Sequence, residues 1–103
     1  MKATSEIKLT NHSGIPDVGF RGTTTNYKFA TDVDDGFTIS LKGVPVGHYT
    51  LTASRFPAGA GLVSTEFDVT ETMGIGAVLI PDPRDPTQYR IVVECFVIPH
   101  PST

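Results

Sequence analysis

A chain of 103 residues with 39% hydrophobic and 18% charged residues has the size and composition of one folded domain, and lies outside the low-hydropathy, high-charge range of disordered chains. Eight Lys and Arg against eleven Asp and Glu give a formal charge of -3. The cations are scattered, so the basic footprint that a phosphate backbone requires is missing and nucleic acid is not an expected partner.

The N-terminal MKATSEIKL carries Thr, Ser and Glu where an export signal needs an apolar run. The chain is therefore expected to be cytoplasmic or cut from a larger secreted or surface protein, with the compartment open. No run approaches the roughly 18 apolar residues of a membrane span. Ten Gly and eight Pro punctuate the chain, and the intervals are short runs rich in Thr, Val, Ile, Phe and Tyr, the vocabulary of strands. Helical periodicity free of Gly and Pro is missing over any window of about eleven residues.

In chain order, EIKLT (6–10) places Ile7 and Leu9 on one face and Lys8 on the other, a half-buried first strand. TNYKFAT (25–31) aligns Tyr27 with Phe29. GFTISL sets Phe37, Ile39 and Leu41 on one face, and HYTLTA does the same with Tyr49, Leu51 and Ala53. Between these two, KGVPVG (42–47) combines Gly43 and Gly47, which tolerate positive φ, with Pro45, which removes a ladder donor. The chain is expected to reverse there into an antiparallel pair. LVSTEFDV (62–69) offers Val63, Thr65, Phe67 and Val69 in one phase, while IGAVLI (75–80) is too uniformly apolar for its phase to be read.

QYRIVVECFVI (88–98) is apolar on most of both faces, as in a central strand or a covered edge, and its single Cys95 is expected to be a small buried hydrophobe. Seven strands separated by turns predict an all-β fold, a seven-stranded antiparallel β-sandwich of Greek-key type in preference to a small barrel. Residues 1–98 make the single domain and 99–103 a C-terminal tail.

Two segments are expected to protrude as loops. SRFPAGAG (54–61) is rich in small residues, and IPDPRDPTQ (80–88) is stiffened by Pro81, Pro83 and Pro86. Arg55, Phe56, Asp82, Arg84 and Asp85 are the candidate binding residues there, with Phe20, Arg21 and Asp17 as further loop groups.

The stretch TDVDDGFTISLKGVPVGHYTLTA (31–53) runs Thr-Asp, an Asp/Gly turn, aromatic-x-Ile, Gly-x-Pro-x-Gly, then His-Tyr-x-Leu, and is preceded by NHSGIPDVGF (11–20). Both segments resemble the prealbumin-like (transthyretin-like) β-sandwiches, the group of Cna-B-type and carboxypeptidase regulatory-like domains. The resemblance implies seven strands arranged in two sheets and no catalytic role. Cna-B-type domains often carry an isopeptide bond from a first-strand Lys, which would be Lys8, to an Asn or Asp on the last strand; residues 88–98 contain neither. The related hydroxyisourate hydrolases end in Tyr-Arg-Gly-Ser, whereas Tyr89-Arg90 is followed here by Ile91-Val92.

Other constellations read as structural. Asp32, Asp34 and Asp35 before Gly36 suggest calcium, but Gly36 stands fifth and Gly43 twelfth where an EF-hand needs Gly sixth and Glu twelfth, so a hairpin turn with Asp–backbone bonds is expected. His12, His48 and His100 are far apart in sequence, no Gly-x-Ser-x-Gly elbow surrounds Ser13 or Ser64, and no cofactor or metal is implied. The expected function is a non-catalytic structural or protein-interaction module of a surface, appendage or virion assembly, with a protein partner or self-association through the apolar last strand. The alternative is a carbohydrate-binding domain using the 54–61 and 80–88 loops.

Overall fold

The computed structural model describes residues 4–54 and 62–97, and these contain no helix. Eight strands follow in order: β1 Thr4–Asn11, β2 Val18–Thr23, β3 Lys28–Val33, β4 Thr38–Pro45, β5 Gly47–Ser54, β6 Val63–Val69, β7 Met73–Asp82 and β8 Asp85–Val97. They make two four-stranded sheets, ordered β4-β1-β7-β8 and β3-β2-β5-β6. All pairings are antiparallel except that of β1 with β7, which corrects the purely antiparallel expectation. Parallel neighbours need a long connection, and the chain passes through both sheets before β7 returns beside β1.

The additional strand is β2, VGFRGT, whose glycines read as turn signals in sequence. Gly22 lies opposite Phe29 of β3 and Leu51 of β5, and a Cβ added there would collide with the Phe29 ring. The glycine is thus a seat for a cross-strand aromatic rather than a break. The first sheet repeats the device: Gly74 of β7 faces Phe96 of β8, and a Cβ on Gly74 would meet that ring and come within 2.9 Å of the Glu6 carbonyl oxygen.

Alternation then sorts the faces. Ile7 and Leu9 of β1 and Tyr49, Leu51 and Ala53 of β5 are fully buried, as their phase predicts, and the unreadable IGAVLI run resolves with Ile75, Ala77 and Leu79 inward. These residues join Val18, Phe20, Val33, Val44, Phe67 and Val69 in one cluster drawn from both sheets, held together by the removal of apolar area from water. Tyr49 and Phe67 stack within it at 6.1 Å between centroids, and Phe29, partly buried against the cluster, extends them into an aromatic row.

Five sequence expectations are corrected. Strands β4 and β5 do not pair, because the 42–47 segment carries the chain from one sheet to the other; likewise Asp34-Asp35-Gly36 is a crossover from β3 to β4 and not a hairpin. Phe37 lies before β4 and is 63% exposed, its backbone committed to bonds with Asp34 and Asn11. Cys95 is exposed: it shares the phase of inward Ile75, its partner across the ladder, but sits near the end of an edge strand longer than β6, which packs against it. Residues 80–88 are no extended loop, since β7 and β8 continue to a short turn at Pro83 and Arg84.

Both crossovers are pinned. The register of β1 with β4 passes from Ser5↔Val44 to Glu6↔Lys42 and so skips Gly43, whose φ of 73 is that of a glycine bulge. The extra residue restores Val44 to the inward phase of Ile39 and Leu41 and buries it. Just beyond, the Tyr49 hydroxyl donates to the Pro45 carbonyl at 2.6 Å, a tyrosine-to-upstream-backbone lock like the corner of other two-sheet folds.

At the other crossover Asn11 is fully buried. Its Nδ2 donates to the carbonyls of Ile15 at 2.8 Å and Val33 at 2.9 Å, and its Oδ1 accepts from the backbone N of Ser13 at 3.0 Å and the Ser13 hydroxyl at 2.6 Å. The Asn11 backbone bonds Phe37 and Gly36, and Asp35 Oδ1 accepts from Gly14 N at 2.9 Å. No buried side-chain nitrogen or oxygen among the described residues lacks a partner.

Replacing Asn11 with Ala strands several of those groups in a dry site, and is expected to cost about 3 kcal/mol in denaturant unfolding; a loss below about 1 kcal/mol would show the amide to be dispensable. Gly74→Ala is expected to destabilise by about 1–3 kcal/mol through overpacking, whereas Gly76→Ala, whose Cβ would meet nothing nearer than 3.9 Å, should be near neutral. Equal effects would refute the ring-seat role of Gly74.

Candidate functional site

Of the five residues expected to bind, Arg55 and Phe56 lie outside the described residues. Asp82, Arg84 and Asp85 come together at the β7–β8 turn, where both carboxylates bond local backbone: Asp82 Oδ1 accepts from Arg84 N at 2.9 Å, and Asp85 Oδ1 from Thr87 N at 3.0 Å and the Thr87 hydroxyl at 2.6 Å. These bonds hold the Asp85 carboxyl below its usual range, the hydroxyl bond contributing most. Lys8 points outward with its Nζ 4.8 Å from the centre of the Phe96 ring and 3.8 Å from Glu6 Oε2, a cation on an aromatic face.

The outward face of the second sheet is polar. Strand β5 contributes His48, Thr50 and Thr52, paired with Asp68, Glu66 and Ser64 of β6. His48 Nδ1 lies 2.8 Å from Asp68 Oδ1 and Nε2 lies 3.0 Å from Glu66 Oε1, so one exposed imidazole spans two carboxylates. Hydrogen bonds to Glu66, then to Asp68, raise its pKa above the ordinary 6.5. Both ring nitrogens are engaged in this arrangement. No group of three or more His, Cys, Asp and Glu among the described residues is arranged to hold a metal ion.

A concavity that sequence reasoning missed lies at the β2–β3 turn. Thr23, Thr24, Thr25, Asn26, Tyr27 and Lys28 line an open depression of about 310 Å³, closed on itself by a bond from Thr24 N to the Tyr27 carbonyl at 2.8 Å. Tyr27, expected inward beside Phe29, precedes β3 and is 36% exposed, with its ring 6.4 Å from Tyr49 at the rim of the core. The run of three threonines, Asn and Tyr was its one sequence signal: small polar groups beside an aromatic.

Four edge strands bound the sheets: β4 and β8 of the first, β3 and β6 of the second. Three are blunted. Strand β4 carries the Gly43 bulge, Lys42 and Pro45; β3 has only 6 residues and begins at Lys28; β6 sets Glu66 and Asp68 on one face. Bulges, shortness and like charges all deter edge pairing. Strand β8 has none of these over its later part: its register with β7 is unbroken from Pro81↔Tyr89 to Met73↔Val97, and Val97 at its end is 72% exposed.

The architecture defines an all-β, two-sheet protein. It is similar to the NMR structure of a protein from Eubacterium rectale, with a TM-score of 0.65 and 10% identity over 89% of each chain, a likeness of fold alone. No protein-family model matches the sequence, and no curated protein matches it. No helix among the described residues is long and apolar enough to cross a membrane.

The His48 clamp makes a pH prediction. Because the folded pKa is raised, its stabilising contribution is present below the unfolded pKa near 6.5 and is lost as pH rises through the folded value. In an NMR titration His48 should titrate above the ordinary 6.5, and Glu66→Gln should move it down. An unchanged His48 midpoint in that variant would remove Glu66 as the cause.

Proposed function

We propose that this chain is a non-catalytic structural or protein-interaction module of the prealbumin-like kind, working within a larger assembly such as a surface layer, an appendage or a virion. The observation that carries the reading is the contrast between three blunted sheet edges and the long edge of β8, unbroken in register with β7 from Tyr89 to Val97, since an edge left open is a template for another chain. The prealbumin-like part is supported by where the family-like segments fall. Residues 31–53 build the end of β3, two of the four sheet-to-sheet crossovers and β4 and β5, and 11–20 build the Asn11 loop, itself a crossover, and enter β2.

Carbohydrate binding is the second reading. Its support is the depression at residues 23–28, where exposed Tyr27 stands among threonines, Asn26 and Lys28; among the 80–88 residues, Asp82 and Asp85 already serve their own turn. A glycan-array screen of the purified protein, with Tyr27→Ala and Arg84→Ala beside it, separates the two. The module reading expects a blank array. Saturable binding abolished by either substitution would replace it with a glycan-binding function.

A further inference from the structure

We infer that the two edges of the second sheet are complementary to each other: β6 of one copy of this chain pairs antiparallel with β3 of the next, so that copies join head to tail into an open chain. This rests on the interaction-module reading and names a second copy as the partner, at edges other than β8.

Strand directions permit the contact without turning either copy over. Strands β3, β2, β5 and β6 alternate in direction, so β3 and β6 run opposite to each other. A copy laid beside another in the same orientation therefore brings β6 against β3 as an antiparallel pair, with both outward faces on one side. The two edges are different surfaces, so the contact is heterologous and leaves one β3 and one β6 at the ends to take further copies. Sheet twist makes such a chain helical.

Side chains select the register. Lys28, Ala30 and Asp32 are the exposed residues of β3, and Ser64, Glu66 and Asp68 those of β6. With Lys28 opposite Asp68, Ala30 faces Glu66 and Asp32 faces Ser64 on the outward side, while Phe29 faces Phe67, Thr31 faces Thr65 and Val33 faces Val63 on the inward side. All 6 residues of β3 find partners, and opposite charges, aromatic pairs and threonine pairs are favoured across strands. A slip of one residue turns the apolar set outward. A slip of two in one direction sets Asp32 against Glu66; in the other it sets Phe29 against Thr65 and Thr31 against Val63, losing both matched pairs.

A depression lies where this register needs room. Arg21, Lys28, Phe29 and Ala30 line an open hollow of about 390 Å³, with the small Ala30 side chain directly across the ladder from Arg21. The Glu66 side chain of the next copy, opposite Ala30, enters it and carries its carboxylate to two cations. Neither Arg21 nor Lys28 forms an ion pair among the described residues, and both are exposed, as are Glu66 and Asp68. The charges that keep β6 from pairing with a second β6 thus become complementary before β3.

Sedimentation equilibrium over a range of concentrations, with circular dichroism to verify folding, tests the pairing. The native chain is expected to grow reversibly past the mass of a dimer as concentration rises. Ala30→Leu, which fills the hollow from an exposed position, should weaken that growth by about tenfold or more. Arg21→Glu with Lys28→Glu in one variant, and Glu66→Lys with Asp68→Lys in another, should each abolish growth alone; their equimolar mixture should restore it, because the exchanged charges are complementary only between the two variants. A native chain that stays monomeric or stops at a dimer overturns the inference, as does growth indifferent to Ala30→Leu or a mixture of folded variants that fails to recover it. The module reading is decided separately, by the glycan screen.

Discussion

The side-chain amide of Asn11 is the constraint on which the arrangement of the two sheets turns. It ends β1, the strand that pairs with both β4 and β7, and it donates to a carbonyl on β3 in the other sheet. A dry interior strengthens such bonds and makes each one costly to leave unmade. The alternatives in which β3, the following turn or the 12–17 loop shift relative to β1 are thereby penalised together. Apolar burial drives the sheets together without direction; the amide fixes where along β1 the other sheet must sit.

The second crossover meets the same need by different means. Here the backbone must leave β4 while still filling the core, and the bulge at Gly43 returns Val44 to the interior at the cost of one unpaired residue. The Tyr49 hydroxyl then donates to the Pro45 carbonyl at the end of β4. A tyrosine serves because its ring belongs to the aromatic row while its hydroxyl reaches the rim. The depression at residues 23–28 adjoins this row, since the Tyr27 ring lies 6.4 Å from that of Tyr49.

With crossovers fixed, four sheet edges remain with only one ladder neighbour each. An open two-sheet fold cannot remove its edges as a closed barrel does. This chain disposes of three by charge, bulge and brevity and leaves β8 straight. The glycine seats for Phe29 and Phe96 lie on the inner neighbours of two edge strands, β3 and β8, where a ring over a glycine supports a strand that has only one ladder neighbour.

Much of this was legible in the sequence because side chains alternate with a period of two: the all-β class, the inward phases of β1 and β5, and the outward placement of Lys8 needed nothing more. Alternation gives a face but not a partner. It could not say that β4 and β5 belong to different sheets, that β1 lies parallel to β7, or that IGAVLI turns its odd-numbered residues inward. Strand β2 escaped notice because glycine signals a turn unless an aromatic from a neighbouring strand covers it, and that neighbour is set by the fold. Cys95 and Phe37 have inward phases by pattern yet lie exposed, since burial requires the opposite sheet to reach that far. The 23–28 depression was equally hidden, its Tyr27 assigned to the core by phase. Seven of the eight strands and most of their faces were readable from the sequence alone, because they follow from local chirality and pleat. Tertiary structure alone decided which strands became neighbours and which edge stayed open, because those depend on contacts between residues far apart in the chain.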